Sequence, residues 1–283
     1  MDVGKMIERF APMNHCYQQH QLDTFLREVS EIGFKKIDLW TCPTHFYVDN
    51  FWHEDVNTLR KKLSEQHLVI SCLSPRQSCP NPFHLAVKNT EAIQRTRNYF
   101  QQIIYAAHEL EVPRIMVTSG WSFQDEAWEV AWGRSVELCR WVCQFAQSYG
   151  VKIAIEPLTK SSTKLVNSCD RMFEYFTEVD HKNLKVILDT GTVLRSEDSI
   201  SKYFQTFGDK IDYCHLTNYQ SNQFAHVAWH DGEFELFKVL KELELFGYAG
   251  DFCLEYTATK YQKNPKKVYE ATYHQIKKME ENK

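Results

Sequence analysis

Eight short β-rich runs separated by segments of helical spacing constrain this chain more than any other feature. Seven are plain: KKIDLW (35–40), LVISCL (68–73), RIMVTS (114–119), KIAIE (152–156), LKVILD (184–189), IDYCHL (211–216) and DFCLE (251–255). A weaker first run lies near residues 5–13. Between the first two runs, Leu22, Phe25, Leu26, Val29 and Ile32 recur at helical spacing, and Gly33 follows where a helix C-terminus favours glycine. The same spacing predicts helices over roughly 54–66, 90–111, 125–149, 168–179, 197–207, 233–246 and 264–281. Eight strands alternating with eight helices in 283 residues fit a single (β/α)₈ TIM barrel, which takes about 250 residues. A doubly wound open sheet is the structural alternative. No G-x-G-x-x-G or G-x-x-x-x-G-K-[ST] supports a nucleotide-binding version of it. No Pro/Gly/Ser-rich linker divides the chain, so residues 1–283 read as one domain.

Composition narrows the function. A hydrophobic fraction of 43%, with 14% aromatic, can fill a barrel core. A net charge of −4 argues against nucleic-acid binding, which needs a basic surface. No apolar run approaches membrane-spanning length. MDVGKMIERF has no apolar signal core, and nine irregularly spaced cysteines read as reduced thiols, so a cytoplasmic location is expected. Cys139 and Cys143, one helical turn apart without a second pair, read as core packing.

The last four runs end alike. IAI leads to Glu156, KVIL to Asp189, DYC to His215 and DFCL to Glu255. In a closed parallel barrel the C-terminal strand ends share one rim, so three carboxylates and one imidazole meet at one mouth. Three anions there repel and raise each other's pKa, and a divalent cation relieves the conflict. Oxygen-rich ligation with one nitrogen suits Mn²⁺, Mg²⁺ or another hard-to-borderline ion. Singly, each residue has a plainer reading: a helix N-cap, a turn at Asp189-Thr190-Gly191, a hydrogen-bonded histidine. Four such residues at corresponding positions on successive strands are hard to explain as independent caps.

The segments IAIEPLT, VILDTG, CHLTN and FCLEYT resemble the metal-ligand segments of the sugar isomerase/epimerase barrels related to xylose isomerase. The likeness is nearest to ketose 3-epimerases of the fructoselysine 3-epimerase type. EIGFKKIDLW, WGRSVELCRWVCQFAQSYGVKIAIEPLT, and His226 followed by VAWHDG extend it over nearly the whole chain. The resemblance implies one divalent ion on Glu156, Asp189, His215 and Glu255, with Mn²⁺ first and Mg²⁺, Co²⁺ or Zn²⁺ as alternatives. It implies epimerisation or isomerisation of a ketose or ketosamine through a metal-stabilised enediolate, with Glu156 and Glu255 as the proton-transfer groups on opposite faces. By the same analogy His226 and His45 line the sugar pocket, and Asn218 either bonds a hydroxyl or caps a turn. The expected partner is a small-molecule sugar, with no nucleic acid or membrane; a homo-oligomer is compatible.

The sequence also departs from that family. Asp189 is followed by Thr190-Gly191-Thr192 where a histidine is common, and His215 by Leu-Thr-Asn218-Tyr-Gln-Ser221 in place of H-x-x-D-x-x-R. Ser162 stands where a glutamate is frequent, and Trp229-His230-Asp231-Gly232 replaces P-G-E-G. The ligands are kept while the substrate shell is altered. Trp40, Trp121 and Trp229 fall near strand ends, where they either pack on a sugar or fill the core. Arg134 reads as an ion-pair residue, and the runs KYQKNPKK and MEENK as solvated helix ends. Two other readings stay open: a metal-dependent dehydratase of a cyclic polyol ketone, and a catalytically silent sugar-binding barrel. The zinc-dependent abasic-site endonucleases share the barrel, but the acidic balance disfavours them.

Overall fold

The computed structural model describes residues 6–196, 198–221 and 224–281. Residue 5 of the expected first run, residue 197 of the sixth helical segment and residues 282 and 283 of MEENK lie outside them. The β-rich runs form β1 (Phe10–Pro12), β2 (Lys36–Thr41), β3 (Val69–Pro75), β4 (Arg114–Thr118), β5 (Lys152–Glu156), β6 (Leu184–Asp189), β7 (Ile211–His215) and β8 (Asp251–Leu254). They make one eight-stranded sheet in the order β1-β8-β7-β6-β5-β4-β3-β2, with every pair parallel. The two ends of the sheet meet through a parallel bridge between Met13 and Asp38. At that seam the Asn14 side chain takes over from the backbone ladder. Its Oδ1 accepts from Trp40 N at 2.7 Å and its Nδ2 donates to Trp40 O at 3.0 Å. The result is a nearly closed TIM barrel.

The helices are α1 (Leu22–Ile32), α2 (Val56–Glu65), α3 (Thr90–Glu109), α4 (Trp128–Gln147), α5 (Cys169–Val179), α6 (Thr190–Arg195), α7 (Ile200–Phe207), α8 (Leu236–Leu245) and α9 (Pro265–Glu281). Asp55, Asn89, Ser168 and Ser199 cap α2, α3, α5 and α7 by accepting from first-turn amides, which is why these helices start where they do. Gly33 ends α1 at φ 114°, a conformation that costs other residues. The short α6 has no counterpart among the expected helices. It begins because Asp189, the last residue of β6, accepts from Thr192 N at 2.7 Å and so acts as its N-cap.

Strand alternation sorts the barrel interior into three layers. Inward residues two apart run Lys152–Ala154–Glu156 on β5 and Asp251–Cys253–Glu255 along β8. The lower layer is charged, with Lys36, Arg114, Lys152, Asp212 and Asp251 near the N-terminal strand ends. The middle layer packs Met13, Cys72, Ala154, Ile187, Tyr213 and Cys253 against one another. The outward residues, including Ile153, Ile155, Val186 and Leu188, join the larger core beneath the helices. The upper layer holds the candidate site.

Candidate metal centre

Glu156 and Asp189 close β5 and β6, His215 closes β7, and Glu255 follows β8 by one residue. Each offers a ligand-type atom, and these four atoms all lie within 4.8 Å of one another. His215 Nδ1 is 2.6 Å from Glu156 Oε1 and 3.3 Å from Glu255 Oε2. From the loop after β7, His226 Nδ1 approaches Asp189 Oδ2 at 3.5 Å and Glu255 Oε2 at 3.8 Å. The first three side chains are buried, and Glu255 is partly open to the mouth.

Close as they are, these groups do not satisfy one another. Glu156 Oε1, Asp189 Oδ2, His215 Nδ1 and His226 Nδ1 are buried with no aligned hydrogen-bond partner. A buried polar atom left in that state costs about 1–3 kcal/mol, more when charged. The other half of Asp189 shows the contrast. Its Oδ1 accepts from Thr192 N and from Thr217 Oγ1, each at 2.7 Å, and Thr217 Oγ1 in turn accepts from Gly191 N at 2.9 Å. Gly191 is needed for that close approach, since a Cβ there would lie 2.5 Å from Thr217 Oγ1. One carboxylate oxygen is therefore clamped and the other is presented to the cluster. Three carboxylates and one imidazole nitrogen converging in this way fit a divalent cation.

The electrostatics divide the two glutamates. Burial pushes Glu156 up to about 7, even though His215 lies beside it. Burial also pushes Glu255 up, but the imidazoles of His226, His215 and His15 outweigh it and hold this carboxyl down at about 2. Burial disfavours charge on His215, yet Glu156 and Glu255 raise its pKa well above the ordinary histidine range. Burial thus favours the protonated form of Glu156, and the neighbouring carboxylates that of His215, while the imidazoles favour the charged form of Glu255.

Above the cluster opens a cavity of about 440 Å³, within the usual size range for small-molecule sites. Glu156, Asp189, Glu255 and His226 line it, as do His15, Trp40, Arg76, Ser162 and Thr192. The Trp40 ring packs against the His15 ring at a centroid distance of 4.6 Å. His226 is fixed by its backbone, donating to Thr257 Oγ1 and accepting from Thr257 N and Ala258 N. A smaller cavity of about 220 Å³ lies near Arg9, Tyr248 and Phe252, at the opposite end of the barrel. Among the described residues, no cluster of ligand-type side chains faces it.

The other residues singled out in the sequence are placed as follows. His45 is buried away from this cavity. Its Nδ1 lies 2.7 Å from Asn14 Nδ2 and its Nε2 2.9 Å from His20 O, so both ring nitrogens face protein groups. Asn218 is also buried, donating to Phe234 O and accepting from Tyr219 N and Phe234 N, which ties the loop after β7 to the start of α8. Trp229 is buried and donates to Leu216 O, while Trp121 stacks on His84. Arg134 pairs with Glu126 at 2.9 Å. Cys139 and Cys143 are buried in α4. His15, which lines the cavity, and Asp38, beside His215, are not among the residues expected from the sequence. Asp38 carried a visible signal: it is an acidic residue inside the apolar alternation of β2, two positions before Trp40.

The family model for the xylose isomerase-like TIM barrel matches residues 26–279. The chain is similar to fructoselysine 3-epimerase of Escherichia coli O157:H7, 18% identical over 250 residues that cover 88% of this chain and 90% of that one. It is similar to D-psicose 3-epimerase of Ruminiclostridium cellulolyticum, 25% identical over 243 residues that cover 82% of this chain and 76% of that one. The solved structure of an L-ribulose 3-epimerase shares the fold with a TM-score of 0.78 at 18% identity, over 97% of this chain and 96% of that one. With most of its barrel matched, the chain belongs to the xylose isomerase-like TIM barrel family.

Proposed function

We propose that this protein is a divalent-metal-dependent epimerase acting at carbon 3 of a ketose or ketosamine. The observation that carries the reading is the convergence of Glu156, Asp189, His215 and Glu255, with unsatisfied atoms, at the floor of a cavity of monosaccharide scale. The sugar epimerases among its relatives support the reaction class.

These four residues would hold the ion, with Mn²⁺ as first choice and Mg²⁺, Co²⁺ or Zn²⁺ as alternatives. When bound, the ion supplies Lewis-acid stabilisation of a substrate carbonyl and its neighbouring hydroxyl. Glu156 and Glu255 have a second task. Their strands are separated by β6 and β7 around the barrel, so the two carboxylates reach the centre from different sides. One takes the proton from carbon 3 and the other delivers a proton to the opposite face, as inversion requires. His226 borders both Asp189 and Glu255 and is placed to meet a sugar hydroxyl.

The test is incubation with a panel of ketoses and ketosamines in D₂O, with and without added divalent ion. The expected result is deuterium at carbon 3 of at least one sugar and of its epimer, lost on chelation. Release of water with formation of an unsaturated product would replace epimerisation by dehydration. Sugar binding with no exchange at carbon 3 of any panel member would overturn the catalytic reading.

A further inference from the structure

Beneath the rim cluster lies a second set of unsatisfied atoms that the proposed reaction does not use. Asp38 projects from the middle of β2 into the barrel and is fully buried. Its Oδ1 accepts from Ser74 Oγ at 2.6 Å, across the β2–β3 pair. Its Oδ2 has no hydrogen-bond partner. That oxygen lies 3.8 Å from His215 Nε2, which also has none. The Tyr213 hydroxyl, also without an aligned partner, is a further neighbour of the Asp38 carboxylate. Cys253 from β8 shares the cluster with Asp38 and His215, and the Tyr213 ring from β7 stands edge-on to the His215 ring at 5.6 Å. Thus the two nitrogens of His215 have different neighbours: Nδ1 faces Glu156 and Glu255, and Nε2 faces Asp38.

A neutral imidazole has one N–H and one lone pair, and it binds a cation only through the lone pair. For Nδ1 to be the ligand, the proton must sit on Nε2. A buried carboxylate beside Nε2 selects that tautomer and makes Nδ1 a stronger donor. The 3.8 Å gap is longer than a hydrogen bond, and a ring displacement of about 1 Å brings it to bonding distance. On this basis we propose that Asp38 is a positioning residue for the metal centre. Held by Ser74, it fixes His215 in the Nε2–H form, with Nδ1 aimed at the ion. The inference rests on the metal-dependent reading above, but concerns ion binding and not turnover. It also accounts for a carboxylate that the fold alone would be better without, because an unpaired buried charge is destabilising.

The experiment measures Mn²⁺ affinity by titration of chelator-treated protein, wild type against Asp38→Asn and Ser74→Ala, with melting of each metal-free variant. Asp38→Asn keeps the shape and removes the charge. Its affinity should fall on the order of 10- to 100-fold, while the metal-free melting temperature stays level or rises. Ser74→Ala frees the Asp38 side chain and should weaken the ion several-fold. In ¹⁵N-histidine spectra of Zn²⁺-loaded protein, His215 should be protonated at Nε2 in the wild type and lose the strongly hydrogen-bonded proton signal in Asp38→Asn. Unchanged affinity in Asp38→Asn, in a folded protein whose wild type does bind Mn²⁺, would overturn the role of Asp38 alone. If Asp38→Asn fails to fold, unchanged affinity in Ser74→Ala would do so. A wild type that binds no divalent ion would remove both this inference and the metal-dependent reading.

Discussion

The barrel interior carries charged side chains at both ends, and the two ends treat them in opposite ways. At the floor, Arg114 donates to Asp212 Oδ2 at 2.6 Å and Lys152 to Asp212 Oδ1 at 2.5 Å. Lys36 donates to Asp251 Oδ1 at 2.6 Å and Ser71 to Asp251 Oδ2 at 3.1 Å. All four carboxylate oxygens there accept a hydrogen bond. At the rim, Glu156 and Asp189 each keep an oxygen with no aligned partner, as does Asp38 just beneath, and the groups that approach these oxygens are imidazoles. The pKa directions follow the pairing. Burial would raise Asp212, but Arg114 and Lys152 outweigh it and hold it below the usual carboxylate range. Toward the rim, burial prevails at Glu156 and at Asp38 beneath it, pushing them up to about 7 and about 6, while the imidazoles hold Glu255 down at about 2. Similar residue types therefore serve two purposes. Charges that balance inside the chain plug a barrel, and charges that do not balance leave room for a cation from outside it.

The largest effect that separates the ends is on turnover. Glu156→Gln and Glu255→Gln should each lower epimerisation by on the order of 10²–10⁴ at saturating metal, since glutamine keeps the shape but cannot accept a proton at neutral pH. Glu156→Gln should stay folded because it removes an ill-satisfied buried charge, and Glu255→Gln because the side chain it alters is partly open to the mouth. Working on opposite faces, they should retain deuterium exchange in different epimers. Near-native turnover in both would return the search for bases to His226.

The floor should behave in the reverse sense. Arg114→Met leaves Ser71 O and one Asp212 oxygen without their donor, and should cost about 3 kcal/mol of stability by urea unfolding while leaving Mn²⁺ affinity within about two-fold. The pH dependence has a definite sign. A carboxyl whose folded pKa is depressed adds stability above its unfolded value near 3.9, and loses it as pH falls through the folded value. Acid unfolding of the wild type should therefore show an Asp212 contribution that Arg114→Met reduces. If the floor variant lost metal affinity instead of stability, the division between the two ends would be wrong.

How much of this was legible in the sequence depended on how local each signal was. β5 and β6 span 152–156 and 184–189 as the runs indicated, because an apolar stretch closed by one acid marks its own end. α6 was not legible. TGTVLR is short and contains glycine and β-branched residues, and its start depends on capping by Asp189 and on the approach of Thr217. Period-two alternation, once the barrel was assumed, aims Glu156, Asp189 and His215 at a common mouth. The same logic applied to β2 would have aimed Asp38 inward, but its neighbour His215 comes from the far side of the barrel. Distance from a strand end gave the neighbourhood of His45 and Asn218 and not the direction of their side chains. Asn14 and His20 face the His45 ring only because the turn at Asn14–Tyr17 folds against β2.

The most direct test of the unbalanced rim is a crystal structure of the Mn²⁺-loaded protein, with anomalous diffraction recorded at the manganese edge. The account predicts one strong peak per chain, about 2.0–2.6 Å from oxygens of Glu156, Asp189 and Glu255 and within bonding distance of His215 Nδ1, with the floor empty of peaks. A chain that binds no ion at the rim, or one in which any two of the four side chains stand too far apart to share an ion, would contradict it.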